Sequence, residues 1–137
     1  MKKLKLVLSI IILSIAFISC SALESRETQK NADKLKAGIT QIIIPEKTTE
    51  FEVRKLLGNP TVKAVRKGGT IRLAYYSGDF YHQNSEENKR VLDKYIPAEL
   101  LNDQEKLKKV VLAIFIKHDE IKDENIIYRV EVEIMRM

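Results

Sequence analysis

The segment from Thr48 to Pro60 constrains the fold most, because it specifies a short helix with both ends marked. At its start, the Thr49 hydroxyl can accept a hydrogen bond from the Glu52 N–H, and the Glu52 carboxylate can reach back to the Thr49 N–H, which is a capping box. At its end, Gly58 favours the left-handed backbone that stops a helix, and Pro60 forbids continuation. The apolar residues recur at spacings of three and four and predict one buried face: Phe51, Val53, Leu56 and Leu57.

Strand patterns follow this helix and predict an antiparallel sheet. Residues 62–66 and 71–76 flank Lys67-Gly68-Gly69-Thr70, whose paired glycines supply the positive φ angles of a tight hairpin. A continuous apolar run over residues 110–116 predicts a central strand. Alternation from Ile126 to Met135 predicts a last strand whose buried face carries Tyr128, Val130, Val132 and Ile134.

A helical pattern over residues 84–102, interrupted at Pro97, predicts an insertion between the strands. Its apolar face is predicted to carry Val91, Leu92, Tyr95 and Ile96. We therefore predict an α+β fold with two layers, in which a short helix and an insertion helix pack on an antiparallel sheet of about four strands.

The N-terminus has the pattern of an export signal. Three lysines precede an apolar run of 13 residues from Leu6 to Ile18, which suits a signal peptide and is shorter than the roughly 20 residues that span a bilayer. The run leads into Phe17-Ile18-Ser19-Cys20, which resembles the lipobox of bacterial lipoproteins. This resemblance implies cleavage before Cys20 and acylation of its thiol, for example with palmitate, as a lipid anchor. The alternative is an ordinary signal peptide with an incidental cysteine.

These patterns divide the chain into three segments. Residues 1–19 are predicted to be a lipoprotein signal peptide, residues 20–37 a lipidated N-terminus and polar tether, and residues 38–137 the folded domain. A partly helical tether is the alternative to a wholly flexible one. The β-branched residues from Ile39 to Ile44 end at Pro45 and predict a short extended segment before the central helix. Ser21 is not the Asp that, by lipoprotein sorting habit, favours inner-membrane retention, so we expect outer-membrane attachment facing the periplasm.

The residues from Lys47 to Pro60 carry a second resemblance. They follow the pattern Lys-Thr-Thr-x-x-Glu-Val-x-x-Leu-Leu-Gly-x-Pro, which is similar to the signature of the SmpA/OmlA (BamE-like) family of small bacterial lipoproteins. By order of elements, the likeness extends from about Leu35 to the C-terminus. Glu46 stands where that family usually has Gly, and the chain contains no Trp. The resemblance implies a part in outer-membrane protein assembly or envelope integrity.

Charge argues against nucleic-acid binding. The whole chain has 24 Lys and Arg against 19 Asp and Glu, but three of the lysines lie in residues 1–19. Cleavage would leave 21 basic against 19 acidic residues, so no strongly basic surface for a phosphate backbone is expected. Cys20 is the only cysteine, which excludes an internal disulfide.

No set of residues predicts catalysis, a cofactor or a metal site. His82 and His118 lie far apart, and neither has a zinc-type spacing. The segment from His118 to Asn125 has carboxylates suited to calcium, but it lacks the central glycine and ligand order of an EF-hand loop, so a solvated hairpin turn is predicted. Nucleophile, phosphate-binding and dinucleotide-binding motifs are absent from the sequence. We expect a non-enzymatic protein.

Aromatic residues cluster around residues 77–79 and predict an interface at Phe80 and Tyr81, because aromatic side chains are common in protein interfaces. The alternative is that Tyr75 and Tyr76, on opposite faces of one strand, give one core and one surface residue. The predicted function is a membrane-anchored envelope lipoprotein that binds another envelope protein. The alternative is a ligand-binding or enzyme-inhibitor-like module, which a concave apolar pocket would favour over a flat aromatic patch.

Overall fold

The computed structural model describes residues 23, 25–76 and 79–135 and has the predicted α+β architecture. Its four strands form one antiparallel sheet in the order β1-β2-β3-β4, and helices pack on one face of that sheet. The strands are β1 (Val62–Val65), β2 (Ile71–Tyr76), β3 (Val110–Asp119) and β4 (Glu124–Ile134). The helices are α1 (residues 25–42), α2 (Glu50–Leu57), α3 (Asp79–His82), α4 (Glu86–Tyr95), α5 (Ala98–Asn102) and α6 (Gln104–Leu107).

Helix α2 has both predicted end signals. The Thr49 hydroxyl accepts from the Glu52 N–H at 3.2 Å, and the Thr49 N–H donates to the Glu52 carboxylate at 2.9 Å, which confirms the capping box. Gly58 ends the helix at φ 76° and ψ −158°. The φ angle is positive as predicted, but the ψ angle lies outside the left-handed helical region, in a conformation that is essentially restricted to glycine.

The first residues of the domain differ from the prediction. Residues 25–42 form a single helix, so the extended segment predicted from Ile39 to Ile44 is wrong for residues 39–42. The segment predicted as a tether is helical from residue 25, which agrees with a partly helical tether, but from Ala32 onwards it is part of the core. Ala32, Leu35 and Ile39 are buried because their spacings of three and four place them on one helical face against the core. Residues 1–20, which include the predicted signal peptide and Cys20, lie outside the described residues.

Close packing of α1 against the end of α4 depends on Gly38. A Cβ atom at this position would lie 2.7 Å from the Tyr95 carbonyl oxygen and would also collide with the Ile96 side chain. Within the insertion, Leu92 and Ile96 are buried. Val91 and Tyr95, which were predicted to share that face, are each 37% exposed, because the contact with the core is narrower than the apolar stripe.

Both predicted hairpins form. Gly68 and Gly69 have φ angles of 91° and 82° and connect β1 to β2. Between β3 and β4 the register shifts, since Phe115 pairs with Arg129 while Ile116 pairs with Ile127. The extra residue, Tyr128, forms a β-bulge, so it lies beside Phe115 and is not part of the buried face as predicted.

Side chains with long apolar stems lie over the second face of the sheet. The Arg129 guanidinium lies 4.1 Å from the centre of the Phe115 ring, and the Arg66 guanidinium lies 5.3 Å from it. Arg72 and Glu133 form an ion pair at 2.9 Å on the same face. Stacked guanidinium groups thus cover an aromatic ring that points away from the helical layer.

Candidate protein-interaction site

Phe80 and Tyr81 do not form the exposed interface that the aromatic cluster predicted. They are only 2% and 6% exposed, respectively. Phe80 packs edge-to-face on Tyr75 with ring centres 6.0 Å apart, and the Tyr81 hydroxyl donates to Asp93 at 2.9 Å. Burial raises the pKa of Tyr81, and the hydrogen bond to Asp93 adds to that rise. Both rings anchor α3 in the core, so this prediction is corrected.

Phe51 is exposed instead, although the sequence predicted it to be buried. Val53 and Leu57 are the buried residues of α2. Phe51 precedes Val53 by two positions, which is about 200° around a helix of 3.6 residues per turn. Its side chain therefore points away from the core and is 76% exposed. The two-residue spacing between Phe51 and Val53 places these side chains on different faces of a helix, so the sequence already contained a signal that Phe51 is exposed.

The C-terminal end of α2 is held by two hydrogen bonds from distant residues. The Tyr75 hydroxyl donates to the Gly58 carbonyl oxygen at 2.9 Å, and the Asn88 amide donates to the Lys55 carbonyl oxygen at 2.7 Å. Burial raises the pKa of Tyr75 to about 12, so its hydroxyl remains a donor at neutral pH. These bonds satisfy carbonyl groups that a helix end leaves without partners. These two hydrogen bonds therefore hold the C-terminal end of the helix that carries Phe51.

The N-terminal end of α2 is fastened to the β3–β4 hairpin. The Glu50 carboxylate accepts from Asn125 at 2.9 Å and from Arg54 at 3.2 Å. Asn125 in turn makes a 2.9 Å hydrogen bond with the His118 ring. A backbone bond from the Ile127 N–H to the Thr48 carbonyl oxygen, 2.9 Å long, joins the same two segments. The helix and the hairpin therefore form one rigid end of the domain.

A depression of about 470 Å³ lies between these elements and is called the Phe51 groove; it is lined by Thr49, Glu50, Phe51, Arg54, Glu124 and Asn125. Phe51 is its one aromatic residue, and the Glu50 carboxylate accepts hydrogen bonds from both Arg54 and Asn125. Small-molecule pockets are lined mainly by apolar side chains. A rigid aromatic anchor within a polar rim is instead typical of a protein interface.

The hairpin beside the groove ends in a turn at residues 120–123; this turn together with the flanking strand residues Asp119 and Glu124 is called the hairpin tip. Asp119 accepts hydrogen bonds from the N–H groups of Ile121 and Lys122 at 3.0 and 3.2 Å, which closes the turn. Ile121 is 97% exposed at its apex. Over residues 23, 25–76 and 79–135, no group of three His, Cys, Asp or Glu side chains is placed to hold a metal ion.

A second depression, of about 280 Å³, lies between α1 and α6 and is mostly polar. Its lining includes Glu27, Glu105 and Lys108, and the last two form an ion pair at 3.2 Å. Because its charges are mixed and it offers no exposed apolar side chain, it is a weaker interaction site than the Phe51 groove. Within the described part of the chain, no helix is both long and apolar enough to cross a membrane.

Comparisons of the chain with protein-family models, with curated proteins and with solved structures found no match.

Proposed function

We propose that the protein is a lipid-anchored lipoprotein of the bacterial envelope, without enzymatic activity, whose domain binds another envelope protein through the Phe51 groove. The observation that carries the proposal is the exposure of Phe51, 76%, on a helix whose two ends are fastened to the rest of the domain. Aromatic residues on rigid supports contribute most of the binding energy in many interfaces. The ligand-binding alternative has less support, because the groove is shallow and open to solvent and Phe51 is the one fully apolar side chain among its lining residues.

The anchoring part of the proposal depends on Cys20, which follows the apolar N-terminal run. Two or three acyl chains at this residue would hold the protein on a membrane, since each buried methylene adds about 0.8 kcal/mol. Helix α1 is already regular at residue 25 and belongs to the core from Ala32 onwards. Five residues of chain reach at most about 17 Å, so the domain would stay close to the membrane that carries the anchor.

Backbone geometry at Glu46 supports the resemblance to the SmpA/OmlA family. The Lys47 N–H donates to the Ile44 carbonyl oxygen at 3.1 Å, which closes a turn with Pro45 and Glu46 in its centre. Glu46 has a φ angle of 67°, and a type II turn requires a positive φ at this position, where glycine is preferred. The position at which the family usually has Gly thus keeps the backbone conformation of glycine here. A part in outer-membrane protein assembly or envelope integrity is proposed on this basis.

Site-specific photocrosslinking in living cells tests the proposal. A photoreactive amino acid is placed at position 51 and, as a control, at position 65, where Val65 is 72% exposed at the far edge of the sheet. We expect position 51, and not position 65, to capture an envelope protein. Capture of a barrel-assembly component would favour the assembly role; capture of no envelope protein at position 51 would refute the binding function.

Fatty-acid labelling tests the anchor separately. The wild-type protein should incorporate a labelled fatty acid, whereas Cys20→Ala should not, because its thiol is the proposed attachment site. Membrane association in high salt should be lost together with the label. Retention of the label by Cys20→Ala would contradict the lipoprotein assignment. It would not contradict protein binding through the Phe51 groove.

A further inference from the structure

We infer that the Phe51 groove and the hairpin tip together bind a basic segment of a partner protein that also carries apolar side chains. This inference rests on the proposed protein-binding function and deepens it by naming the chemistry of the partner. It follows from the exposed apolar groups at this end of the domain and from the charge that surrounds them.

The apolar groups are Phe51 and Ile121, which are 76% and 97% exposed. They are the two most exposed large apolar side chains among the described residues. Glu124 lines the groove beside Phe51 and follows Ile121 by three residues, so both apolar groups belong to the same end of the molecule. Two anchors on one rigid support suit a segment that presents two apolar side chains of its own.

The charge around these anchors is negative. Residues 119–124 contain four acidic residues and one lysine: Asp119, Glu120, Asp123, Glu124 and Lys122. Glu120, Asp123 and Glu124 are exposed to solvent. A lysine- or arginine-rich segment would therefore meet complementary charge, which accelerates association and excludes acidic partners.

Three of the nearby cationic groups have acidic partners. Arg54 pairs with Glu50 at 3.2 Å, and Lys117 pairs with Glu46 at 2.8 Å. The His118 ring contacts Asp123 at 3.2 Å. When their partners are counted, six acidic residues at this end face four cationic ones: Glu46, Glu50, Asp119, Glu120, Asp123 and Glu124 against Arg54, Lys117, Lys122 and His118. The net charge is negative, so anionic lipid headgroups would be repelled and a basic peptide attracted.

Peptide binding to the lipidated mature protein, residues 20–137, in detergent tests the inference. The probe is a fluorescent synthetic peptide in which lysines flank a pair of leucines; one comparison peptide has glutamates for the lysines and another has serines for the leucines. We expect only the lysine–leucine peptide to bind. Raising NaCl from about 50 to about 500 mM should weaken this binding, because salt screens exposed charges.

Substitutions identify the two components of the surface. Phe51→Ala should lower the affinity on the order of 30-fold, as loss of an interface anchor does. The triple variant Glu120→Gln/Asp123→Asn/Glu124→Gln should lower the association rate on the order of 10-fold and reduce its salt dependence. Val65→Ala and Glu87→Gln/Glu99→Gln, which change exposed residues elsewhere, should bind like the wild type. Circular dichroism establishes that each variant is folded.

Three results would overturn the inference: equal binding of the acidic and basic peptides, affinity unchanged by Phe51→Ala, or self-association of the chain that Phe51→Ala abolishes. The last result would assign the surface to a second copy of the protein. If position 51 crosslinks to an envelope protein but no basic peptide binds, the proposed function stands and the partner chemistry is wrong. If the basic peptide binds but no envelope protein is captured, the partner chemistry stands and the envelope function is wrong.

Discussion

Two residues with positive φ angles, Glu46 and Gly58, control the backbone on either side of α2. Gly58 has φ 76° and an extended ψ angle, and a Cβ atom there would meet no other atom within 4 Å. The need for glycine at this position is therefore conformational and not a matter of space. Glu46 has φ 67° although it carries a side chain, and its carboxylate accepts from Lys117 at 2.8 Å.

Substitutions at these two positions test the positive φ angles through the free energy of unfolding. Gly58→Ala should destabilise the domain by about 1–3 kcal/mol, because the observed backbone conformation is strained for any other residue. Glu46→Gly should be more stable than Glu46→Ala by about 0.5–1 kcal/mol, because both lose the Lys117 contact but only alanine keeps the left-handed strain. Urea denaturation measures both differences. Equal stability of the two Glu46 variants would contradict the turn geometry described here.

At the scale of elements, the β3–β4 hairpin and α2 are linked through a series of hydrogen bonds that begins at one titratable ring, His118. His118 hydrogen-bonds to Asn125, and Asn125 donates to Glu50 at the start of α2. The hydrogen bond to Asn125 and the negative charge of Asp123 raise the pKa of His118 above its ordinary value of 6.5. Because the pKa is higher in the folded protein than in the unfolded chain, protonation of His118 favours folding.

The stability of the hairpin should consequently depend on pH. The contribution of His118 is fully present below pH 6.5, the unfolded value, and is lost as pH rises through the raised folded value. We expect the melting temperature of the wild type, relative to His118→Gln, to fall as the pH rises from 6.5 through the raised folded pKa. Glutamine can still hydrogen-bond to Asn125 but does not titrate. A constant difference between the two proteins over this range would exclude the proposed linkage.

At the scale of the whole molecule, α1 joins the proposed membrane anchor to the core. Ala32, Leu35, Ile39 and Ile43 belong to the same hydrophobic cluster as the inner face of the sheet. Gly38 lets α1 approach the end of α4 closely. The folded domain thus begins well before residue 38, and residues 32–37 belong to the core and not to a tether.

A pair of substitutions in α1 distinguishes a core helix from a tether. Leu35→Ala should destabilise the domain by about 2–5 kcal/mol, because it leaves a cavity where the wild-type side chain is 1% exposed. Lys36→Ala, at the adjacent exposed position, should change stability by less than about 0.5 kcal/mol. Denaturant unfolding of both variants provides the measurement. If Leu35→Ala is as stable as the wild type, α1 does not contribute to the core.

Local interactions explain which features the sequence determined by itself. The capping box at Thr49, the positive φ angle of Gly58 and the Gly68–Gly69 turn all depend on residues within a few positions of one another. The continuous apolar run of β3 likewise identified the central strand, since burial on both faces removes any alternation. The α+β class followed from the order of these elements.

Only the tertiary structure decided which apolar side chains are buried. Phe51 lies on the solvent side of a helix that packs on the core through Val53, Leu56 and Leu57. Phe80 and Tyr81, in contrast, fill space between α3 and the rest of the core. At the Tyr128 bulge, the alternation of inward- and outward-facing side chains along β4 shifts by one residue. Helix α1 packs against the core although most of its residues are polar. Burial depends on how distant elements meet, and hydrophobicity along the chain does not specify those contacts.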